Sequence, residues 1–136
     1  MQLVMNPYQY DMLVMENLYG DILSDLCAAF VGGLGFVPSA NLGDNCAIFE
    51  AVHGSAPDIA GKNLANPTAL LRSALLMLRH LGEFEASTLI RNALEKVYRH
   101  REKLTRDIGG QAGTSEFADA VIEEMARAAV QPAAGR

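Results

Sequence analysis

Helix-starting and helix-ending residues enclose a run of leucines between positions 66 and 82, and the helix that they predict limits how the chain can fold. Asn66 can cap the free N–H groups of a helix start, and Pro67 suits the first helical position because it has no N–H to leave unpaired. Gly82 is typical of the residue that follows a helix. The spacing predicts an apolar side formed by Leu70, Leu71, Leu75, Leu78 and Leu81.

Three more helices are predicted from the same kind of pattern. One runs from about residue 18 to residue 31, with Asn17 as its cap and the Gly32-Gly33 pair at its end. A second spans residues 86–104, and its inward side is expected to consist of Leu89, Ile90, Ala93, Leu94 and Val97. A third extends from Thr114, its expected cap, to about residue 129.

Short apolar runs at 12–15 and 47–52 predict two strands, the first of them buried, while the segment leading to Asp44 is expected to be irregular. Because strands alternate with helices, the predicted fold class is α/β. A chain of 136 residues with 50% hydrophobic and 20% charged residues fits a globular protein with its own core. The last residues, 126–136, are expected to form a frayed tail.

Charge and hydropathy argue against two classes of partner. The net charge of −5 disfavours a nucleic-acid surface, and the basic segment 99–106 is better explained as cations near a helix end. No run of about 20 apolar residues is present, so a membrane partner is not expected. Cys27 and Cys46 show no metal-binding spacing, lie in apolar surroundings and are predicted to be reduced core thiols in a reducing compartment.

The stretch 49–67 is rich in small and polar residues that core packing does not explain. Residues 54–56, Gly-Ser-Ala, leave little side-chain bulk, so a flat ligand could approach the backbone closely. Pro57 can begin a helical turn whose free N–H groups favour an anion, and Asp58 offers two acceptor oxygens that suit a ribose diol. A plain turn would use the same residue types, and His53 alone would suit a structural role. We interpret the stretch as a nucleotide-binding loop.

Asp21 and Asp25 lie four residues apart in a predicted helix and therefore share one face. Two carboxylates at this spacing repel each other unless a cation lies between them. Oxygen ligands suit Mg²⁺ or Mn²⁺, so the pair is interpreted as part of a metal site. Taken alone, two aspartates in the first turns of a helix would more often only favour the helix dipole.

Together, in this order and at this spacing, the two motifs resemble the β-decarboxylating dehydrogenases of 2-hydroxy acids, the family of isocitrate, 3-isopropylmalate and homoisocitrate dehydrogenases. The resemblance extends from Asn6-Pro7 to the segment 113–117, Gly-Thr-Ser-Glu-Phe. It implies the isopropylmalate dehydrogenase-like α/β fold, which has two domains and is distinct from the Rossmann fold. In agreement, the sequence has no G-x-G-x-x-G turn after a strand.

The resemblance also implies a metal, a cofactor and their ligands. Asp21 and Asp25 fall on two of the family's metal-binding aspartates, which implies Mg²⁺ or Mn²⁺. Relatives that use NADP tend to have a lysine and a tyrosine where Asp58 and Ile59 stand, so the implied cofactor is NAD. Cofactor contacts are expected from Glu50, His53, Gly54, Ser55, Ala56, Pro57, Asp58, Ile59 and Asn66.

Two of these residues take specific roles from the resemblance. In the family, a glutamate at the position of Glu50 lies near the nicotinamide end, and an asparagine at the position of Asn66 contacts adenine. The turn Asp107-Ile-Gly-Gly110 resembles one that lies beside the cofactor, and no contact is assigned to it. Capping a helix is fully compatible with the expected role of Asn66.

The implied reaction is oxidation of a 2-hydroxy acid by hydride transfer to NAD⁺, followed by metal-assisted loss of the β-carboxylate. Segments 104–110 and 114–117 resemble NAD-dependent isocitrate dehydrogenases more than isopropylmalate dehydrogenases, which favours isocitrate as the substrate and 2-oxoglutarate as the product. 3-Isopropylmalate, homoisocitrate and a role as a non-catalytic or regulatory partner subunit stay open.

Family members are considerably longer, and the resemblance covers their C-terminal part. We therefore expect a C-terminal portion, with 1–45 in the smaller dimer-forming domain, 46–125 in the larger cofactor domain and 126–136 as a tail. The family's substrate-binding arginines and proton-transferring tyrosine and lysine would lie in the missing N-terminal half, so the isolated chain should be inactive. The expected partner is that half or a homologous subunit, in a homo- or hetero-oligomer. The expected location is the cytoplasm or, alternatively, the mitochondrial matrix.

Overall fold

The structure, a computed structural model, describes residues 1–130. Its elements are α1 (Gln2–Met5), α2 (Asn17–Ala28), β1 (Pro38–Leu42), β2 (Ala47–Ala51), α3 (Thr68–His80), α4 (Phe84–His100) and α5 (Thr114–Val130). Short 3₁₀ turns occur at Pro7–Gln9, Ala29–Val31, Leu34–Phe36 and Arg106–Ile108.

The first long helix, α2, is confirmed, with a start that differs from the prediction. Asn17 is its first residue and not its cap, because the cap position belongs to Glu16. The helix continues as a 3₁₀ turn and ends at Gly32, whose φ of 113° suits glycine, as predicted. Within α2 the one buried residue is Ala28. Several large apolar side chains of α2 and the turn after it are exposed: Leu18, Tyr19, Ile22, Leu26 and Phe30.

The predicted buried strand at residues 12–15 is wrong for this chain. These residues belong to no β-ladder, and their side chains are exposed, Met12 to 83% and Val14 to 90%. A strand must pair its N–H and C=O groups with a neighbouring strand. In the part of the chain that the structure describes, the sheet has only the strands β1 and β2. An apolar run without a neighbour therefore stays unpaired.

β1 and β2 form an antiparallel hairpin whose register runs from Pro38 opposite Ala51 to Leu42 opposite Ala47. The predicted strand at 47–52 is thus confirmed to within one residue. β1 lies where an irregular segment was predicted, because Pro-Ser-Ala-Asn-Leu has little strand propensity and its conformation follows from pairing with β2. The predicted domain boundary after residue 45 falls within the turn of this hairpin.

Helix α3 confirms the leucine-rich helix, and its buried side differs in part from the expected one. The cap position belongs to Pro67, which was predicted to be the first helical residue, and Asn66 lies one residue earlier. The Oδ1 of Asn66 still accepts the Thr68 N–H at 3.0 Å, and Gly82 follows the end with φ 83°. Leu70 and Leu81 are 61% and 64% exposed. The buried residues are Thr68, Ala69, Ser73 and Leu75.

The last two helices are confirmed with different ends. α4 stops at His100, four residues earlier than predicted, because Arg101 adopts a left-handed conformation with φ 60°. Thr114 does not cap α5: its hydroxyl donates to the carbonyl of Ala65, and the carboxylate of Glu116 accepts the Gly113 N–H at 2.8 Å instead. Residues 126–130, predicted to fray, are helical, and the rest of the predicted tail, 131–136, lies outside the described residues.

The core lies between α4 and α5, with α3 against α4. Phe117 at its centre is fully buried and packs with Ala93, Leu94, Val97, Leu104 and Val121. Glu124 of α5 is also buried; its carboxylate forms ion pairs with Lys96 and Arg127 and lies 3.8 Å from His100 Nδ1. The two cysteines, predicted to be core thiols, lie outside this core: Cys27 is partly buried and Cys46 is exposed, so the prediction is wrong for Cys46. None of the helices within residues 1–130 combines the length and the hydropathy needed to cross a membrane.

Candidate functional site

The segment between β2 and α3 forms one side of a cavity of about 660 Å³, which we call the loop cavity. Six of the nine predicted cofactor-binding residues line it: His53, Gly54, Ser55, Ala56, Ile59 and Asn66. The remaining wall comes from the 3₁₀ turn Leu34–Phe36, the start of α3, the turn near Asp107 and the start of α5. Leu70 also lines the cavity, which explains why this leucine of α3 is exposed.

The loop itself is a series of turns. Ala56 has a φ of 41°, and its carbonyl accepts the Ile59 N–H at 3.0 Å. The carbonyl of Ile59 in turn accepts the Lys62 N–H at 3.1 Å. A helical turn was expected at Pro57, and the structure has a series of turns there instead. The N–H groups of Ile59 and Lys62 are already paired with carbonyls of the loop. A left-handed alanine is strained and persists only where its surroundings enforce it, which is common in ligand-binding segments.

Asn63 anchors the end of the loop to α5, a connection that the sequence pattern did not predict. Its side-chain Oδ1 accepts the N–H and the hydroxyl of Ser115, each at 3.0 Å, and its backbone carbonyl accepts the Thr114 N–H at 3.0 Å. A Cβ at Gly113 would lie 2.6 Å from the Asn63 amide nitrogen, so only glycine allows this approach. The sequence pattern gave no signal for this role. The left-handed φ of Asn63, 57°, is visible only in the structure.

Gly54 is a glycine that neither packing nor backbone conformation demands. Its φ lies outside the left-handed region, and a Cβ built there would meet nothing within 4 Å. The space that a side chain would occupy is therefore open, and Gly54 lines the loop cavity. A ligand could approach the backbone closely at this position.

Three of the predicted cofactor residues, Glu50, Pro57 and Asp58, do not line the loop cavity. Glu50 lies on β2, where its Oε1 accepts a hydrogen bond from Asn41 at 2.8 Å. Pro57 and Asp58 are exposed on the outer side of the loop. His53 is exposed too, and its Nδ1 lies 3.0 Å from the carbonyl of Gly54. If Nδ1 bears the proton, the Nε2 atom is left as an acceptor.

Asp107 is a site residue to which the sequence pattern assigned no contact. Its Oδ2 accepts a hydrogen bond from Asn66 Nδ2 at 2.9 Å, and both residues line the loop cavity. The turn that places it is tight, since a Cβ at Gly110 would lie 1.9 Å from the carbonyl oxygen of Leu104. The Asp-Ile-Gly-Gly sequence indicated the turn, whereas the contact of Asp107 with Asn66 is visible only in the structure.

The predicted metal pair, Asp21 and Asp25, lies one helical turn apart on α2, and both side chains are exposed. Neither carboxylate forms an ion pair with a residue of the described segment 1–130. Two carboxylates are suitable ligands for Mg²⁺ or Mn²⁺ but do not complete a coordination shell. No cluster of three or more metal-ligating side chains occurs within residues 1–130. A metal ion bound by Asp21 and Asp25 would therefore need further ligands from outside residues 1–130.

A second, larger cavity of about 990 Å³ lies between α3, α4 and the segment 31–38. Its wall is mostly apolar, and it contains none of the predicted cofactor or metal residues. Thr68 and Tyr98 line this cavity, while their hydrogen-bonded neighbour Asn66 lines the loop cavity. Hydrogen bonds between these side chains thus connect the linings of the two cavities.

Helices packed beside a hairpin, with a loop of small residues around an open cleft, define an α/β protein. The profile of the family described as isocitrate/isopropylmalate dehydrogenase matches residues 1–121. The chain belongs to this family. The predicted family and its isopropylmalate dehydrogenase-like fold are thereby confirmed.

Individual relatives with similar sequences or structures are named as dehydrogenases of the same family. The chain is 54% identical over 126 residues to a mitochondrial regulatory subunit of NAD isocitrate dehydrogenase from Dictyostelium discoideum, a match that covers 92% of this chain and 36% of the relative. It is 55% identical over 125 residues to isocitrate/homoisocitrate dehydrogenase from Thermus thermophilus, covering 92% of this chain and 37% of that one. The crystal structure of isocitrate dehydrogenase from Methylococcus capsulatus superimposes with a TM-score of 0.84 at 46% identity, covering 91% and 37%. The chain thus spans little more than a third of these relatives.

Proposed function

We propose that this chain supplies the cofactor loop and two metal ligands of an NAD-dependent β-decarboxylating dehydrogenase that converts isocitrate to 2-oxoglutarate. The observation that supports the proposal most strongly is the gathering of His53, Gly54 and Asn66 around one cavity of about 660 Å³. That volume lies in the range of small-molecule and cofactor pockets. The oxidised cofactor would accept the hydride from the 2-hydroxyl carbon of the substrate.

The residues of the loop would hold the adenosine end of the cofactor. The open space beside Gly54 would accommodate a flat base or ribose against the backbone. Asn66 would contact the base through its carboxamide, and the carboxylate of Asp58 would accept from the ribose diol after a small movement of the exposed outer loop. Glu50, at the β2 end of the loop, would lie toward the nicotinamide.

The exposed pair Asp21 and Asp25 would hold Mg²⁺ or Mn²⁺ together with ligands from outside this chain. A bound divalent cation would supply positive charge to the hydroxyl and carboxylate oxygens of the substrate. The role of the two aspartates is to fix this charge on a helix, whose backbone is held by its own hydrogen bonds.

Isocitrate is the favoured substrate because the names of the relatives and the resemblance of segments 104–110 and 114–117 agree on it. Homoisocitrate is the first alternative, since the relative from Thermus thermophilus is named for both acids. 3-Isopropylmalate is the second, because the family description includes it.

A non-catalytic or regulatory role is the alternative from a different class, and the name of the relative from Dictyostelium discoideum favours it. In that role the loop and the aspartates would bind a nucleotide or a metal without turnover. The two roles are separable, because only a catalytic assembly requires Asp21 and Asp25 for NADH formation.

The partner of this chain would be the remainder of such an enzyme or a homologous subunit, in a homo- or hetero-oligomer. Residues 1–45 would belong to a smaller dimer-forming domain and residues 46–125 to the larger cofactor domain. We propose a cytoplasmic location, with the mitochondrial matrix as the alternative that the name of the Dictyostelium relative supports.

The first experiment measures binding by the chain alone. Purified chain is titrated with NAD⁺ and with NADP⁺, and binding is followed by isothermal titration calorimetry and by ¹H–¹⁵N chemical shifts. We expect NAD⁺ to bind, with shifts confined to the loop cavity. The same chain should form no NADH from isocitrate, homoisocitrate or isopropylmalate with Mn²⁺. Absence of NAD⁺ binding, or shifts elsewhere, would contradict the proposal.

The second experiment tests catalysis in a complete enzyme. The matching segment of the Thermus thermophilus relative is replaced by this chain, and NADH formation is measured with the three acids. We expect the hybrid to prefer isocitrate and to lose most of its Mn²⁺-dependent rate in Asp21→Asn and in Asp25→Asn. Asp119→Asn, an exposed aspartate of α5, is the matched control and should change little. A folded hybrid with no turnover would instead favour the regulatory role.

A further inference from the structure

A partly buried chain of hydrogen bonds fixes the orientation of the Asn66 carboxamide. Its Oδ1 lies 3.0 Å from the backbone nitrogen of Thr68 and 2.6 Å from the Thr68 hydroxyl oxygen. Its Nδ2 lies 2.9 Å from Asp107 Oδ2. A backbone N–H can only donate and a carboxylate can only accept, so these two partners determine which end of the amide is the oxygen.

The direction of each hydrogen bond in the chain follows from counting protons. Thr68 has one hydroxyl proton and donates it to Asn66 Oδ1. The hydrogen bond between Thr68 and Tyr98 must therefore be donated by the tyrosine O–H. Thr68 is 1% exposed, and burial raises the pKa of Tyr98 above its ordinary value, so the phenol stays protonated at neutral pH. The order is Tyr98 to Thr68 to Asn66.

Counting lone pairs and N–H groups in the same way shows which hydrogen-bonding groups of the Asn66 side chain remain for a ligand. Both lone pairs of Oδ1 are used by Thr68, and one of the two N–H groups of Nδ2 is used by Asp107. Among residues 1–130, the second N–H of Nδ2 forms no hydrogen bond within 3.5 Å, although the Asn66 amide lies near enough to the Tyr98 phenol to lower its pKa slightly against the larger effect of burial. Asn66 lines the loop cavity, so a ligand there meets a donor and no acceptor from this side chain.

We propose that Tyr98, acting through Thr68, is a positioning residue that orients the Asn66 carboxamide and leaves it a single N–H with which to recognise an acceptor atom of a nucleotide base. The inference rests on the proposed function, since it takes a nucleotide as the ligand of the loop cavity. Without the tyrosine proton, the Thr68 hydroxyl would be free to turn toward another acceptor. The amide would then lose one of the contacts that fix its orientation.

The test uses the whole chain and two probes, adenosine 5′-monophosphate and ribose 5-phosphate, which lacks the base. Tyr98→Phe removes only the phenol oxygen and keeps the ring contacts with Phe36 and Phe117. We expect the side-chain ¹H–¹⁵N signals of Asn66 to shift, and the affinity for adenosine 5′-monophosphate to fall about three- to tenfold, typical of one lost hydrogen bond. The affinity for ribose 5-phosphate should stay unchanged. Tyr8→Phe, at a tyrosine that is 95% exposed, is the control.

A pair of variants at Thr68 covers the case in which Tyr98→Phe fails to fold. Thr68→Val removes the hydroxyl at nearly constant shape and should reproduce the loss of affinity, whereas Thr68→Ser retains the hydroxyl and should restore affinity to within about twofold of the parent. Equal losses for both probes would indicate general damage to the fold and would overturn the positioning role.

The outcomes separate this inference from the proposed function. Unchanged Asn66 signals in both Tyr98→Phe and Thr68→Val would overturn the inference, whatever the binding data show. If the parent chain binds no adenosine 5′-monophosphate while the Asn66 signals do respond, the proposed function fails and the base-recognition part of the inference fails with it. The orientation of the amide by Tyr98 would then stand alone.

Discussion

At the scale of single residues, the loop cavity depends on the absence of a side chain at Gly54 as much as on the groups that line it. Gly54 has open space where a side chain would begin, and Ala56 accepts a left-handed conformation that costs free energy. Asn66, by contrast, has most of its hydrogen-bonding capacity used within the protein. The site therefore combines room for a ligand with one donor of fixed orientation.

The first prediction concerns Gly54→Ala. The added methyl group meets no protein atom within 4 Å, so the free energy of unfolding should change by less than about 0.5 kcal/mol. The methyl group would occupy space in the loop cavity, and NAD⁺ affinity should fall at least about threefold. Calorimetry and thermal unfolding measure the two effects. Gly20→Ala in α2 is the matched control, and parental NAD⁺ affinity in Gly54→Ala would show that the ligand does not approach this backbone.

The second prediction concerns pH. Burial raises the folded-state pKa of Tyr98 above its unfolded value of about 10, so folding favours the protonated phenol. Its contribution to stability is therefore complete below about pH 10 and is lost as pH rises toward the folded-state pKa. Denaturant unfolding between pH 8 and 11 should show this decline, and Tyr98→Phe should reduce its slope relative to Tyr8→Phe. Identical slopes in the two variants would contradict the raised pKa.

The third prediction concerns cofactor choice and is made for the hybrid enzyme. Asp58→Lys combined with Ile59→Tyr removes the acceptors for a ribose diol and adds a cation and a donor for a 2′-phosphate. One charge-assisted hydrogen bond is worth about 1.5–3 kcal/mol, so the ratio of kcat/KM for NAD⁺ and NADP⁺ should move about tenfold or more toward NADP⁺. Asp119→Lys makes the same charge change outside the loop. A shift below about threefold would mean that Asp58 does not contact the ribose.

At the scale of elements, the starts of α3 and α5 are held together by the loop that ends at Asn63. This residue satisfies the N–H of Ser115, and the turn after α4 returns Asp107 to Asn66. Both connections require glycines, Gly113 and Gly110, whose surroundings leave no volume for a Cβ. The cavity wall is thus built from two helix starts whose separation is fixed by close backbone contacts.

The fourth prediction tests the tighter of these contacts. In Gly110→Ala the new Cβ would lie 1.9 Å from the carbonyl oxygen of Leu104, which is backbone and cannot move aside as a side chain could. The substitution should lower the free energy of unfolding by about 2–3 kcal/mol, at the upper end of overpacking effects. Urea denaturation measures it, with Gly54→Ala as the matched alanine in open space. Equal stability of the two variants would contradict the close approach.

At the scale of the whole molecule, the chain has one well-packed half and one exposed half. The core joins α3, α4 and α5, whereas α2 buries one residue and leaves most of its large apolar side chains in contact with solvent. Exposed apolar surface of this extent is typical of faces that bind another protein surface. A chain that spans little more than a third of its relatives is expected to have such faces.

The fifth prediction is that the chain associates through the apolar side of α2 and the turn after it. Ile22 and Phe30 are 57% and 45% exposed there, so Ile22→Lys combined with Phe30→Lys should raise the fraction of monomer in sedimentation velocity experiments. Because both side chains are exposed, stability should change little. Ile122→Lys, at an isoleucine of α5 that is 61% exposed, is the control. Association that responds equally to both changes would place the contact elsewhere.

Local sequence signals were sufficient for the elements that stabilise themselves. Asn66 and Gly82 marked the ends of α3 and Gly32 marked the end of α2, because a helix closes its hydrogen bonds within one segment. Of the five predicted inward residues of α4, Ala93, Leu94 and Val97 are buried, and Leu89 and Ile90 are partly buried. The loop was recognisable for the opposite reason, since its small residues have no use in a core. The family and the fold followed from these motifs.

Pairing and exposure were decided only by tertiary structure. The residues of β1 became a strand because β2 lies beside them, and residues 12–15 did not, because a strand cannot satisfy its backbone without a neighbour. Leu70 faces the loop cavity and not the core, although its spacing fits the apolar side. The contact of Asp107 with Asn66 joins residues 41 positions apart, and no local pattern contains that distance. Sequence therefore determined the helices and the loop, while long-range packing determined which of their residues meet.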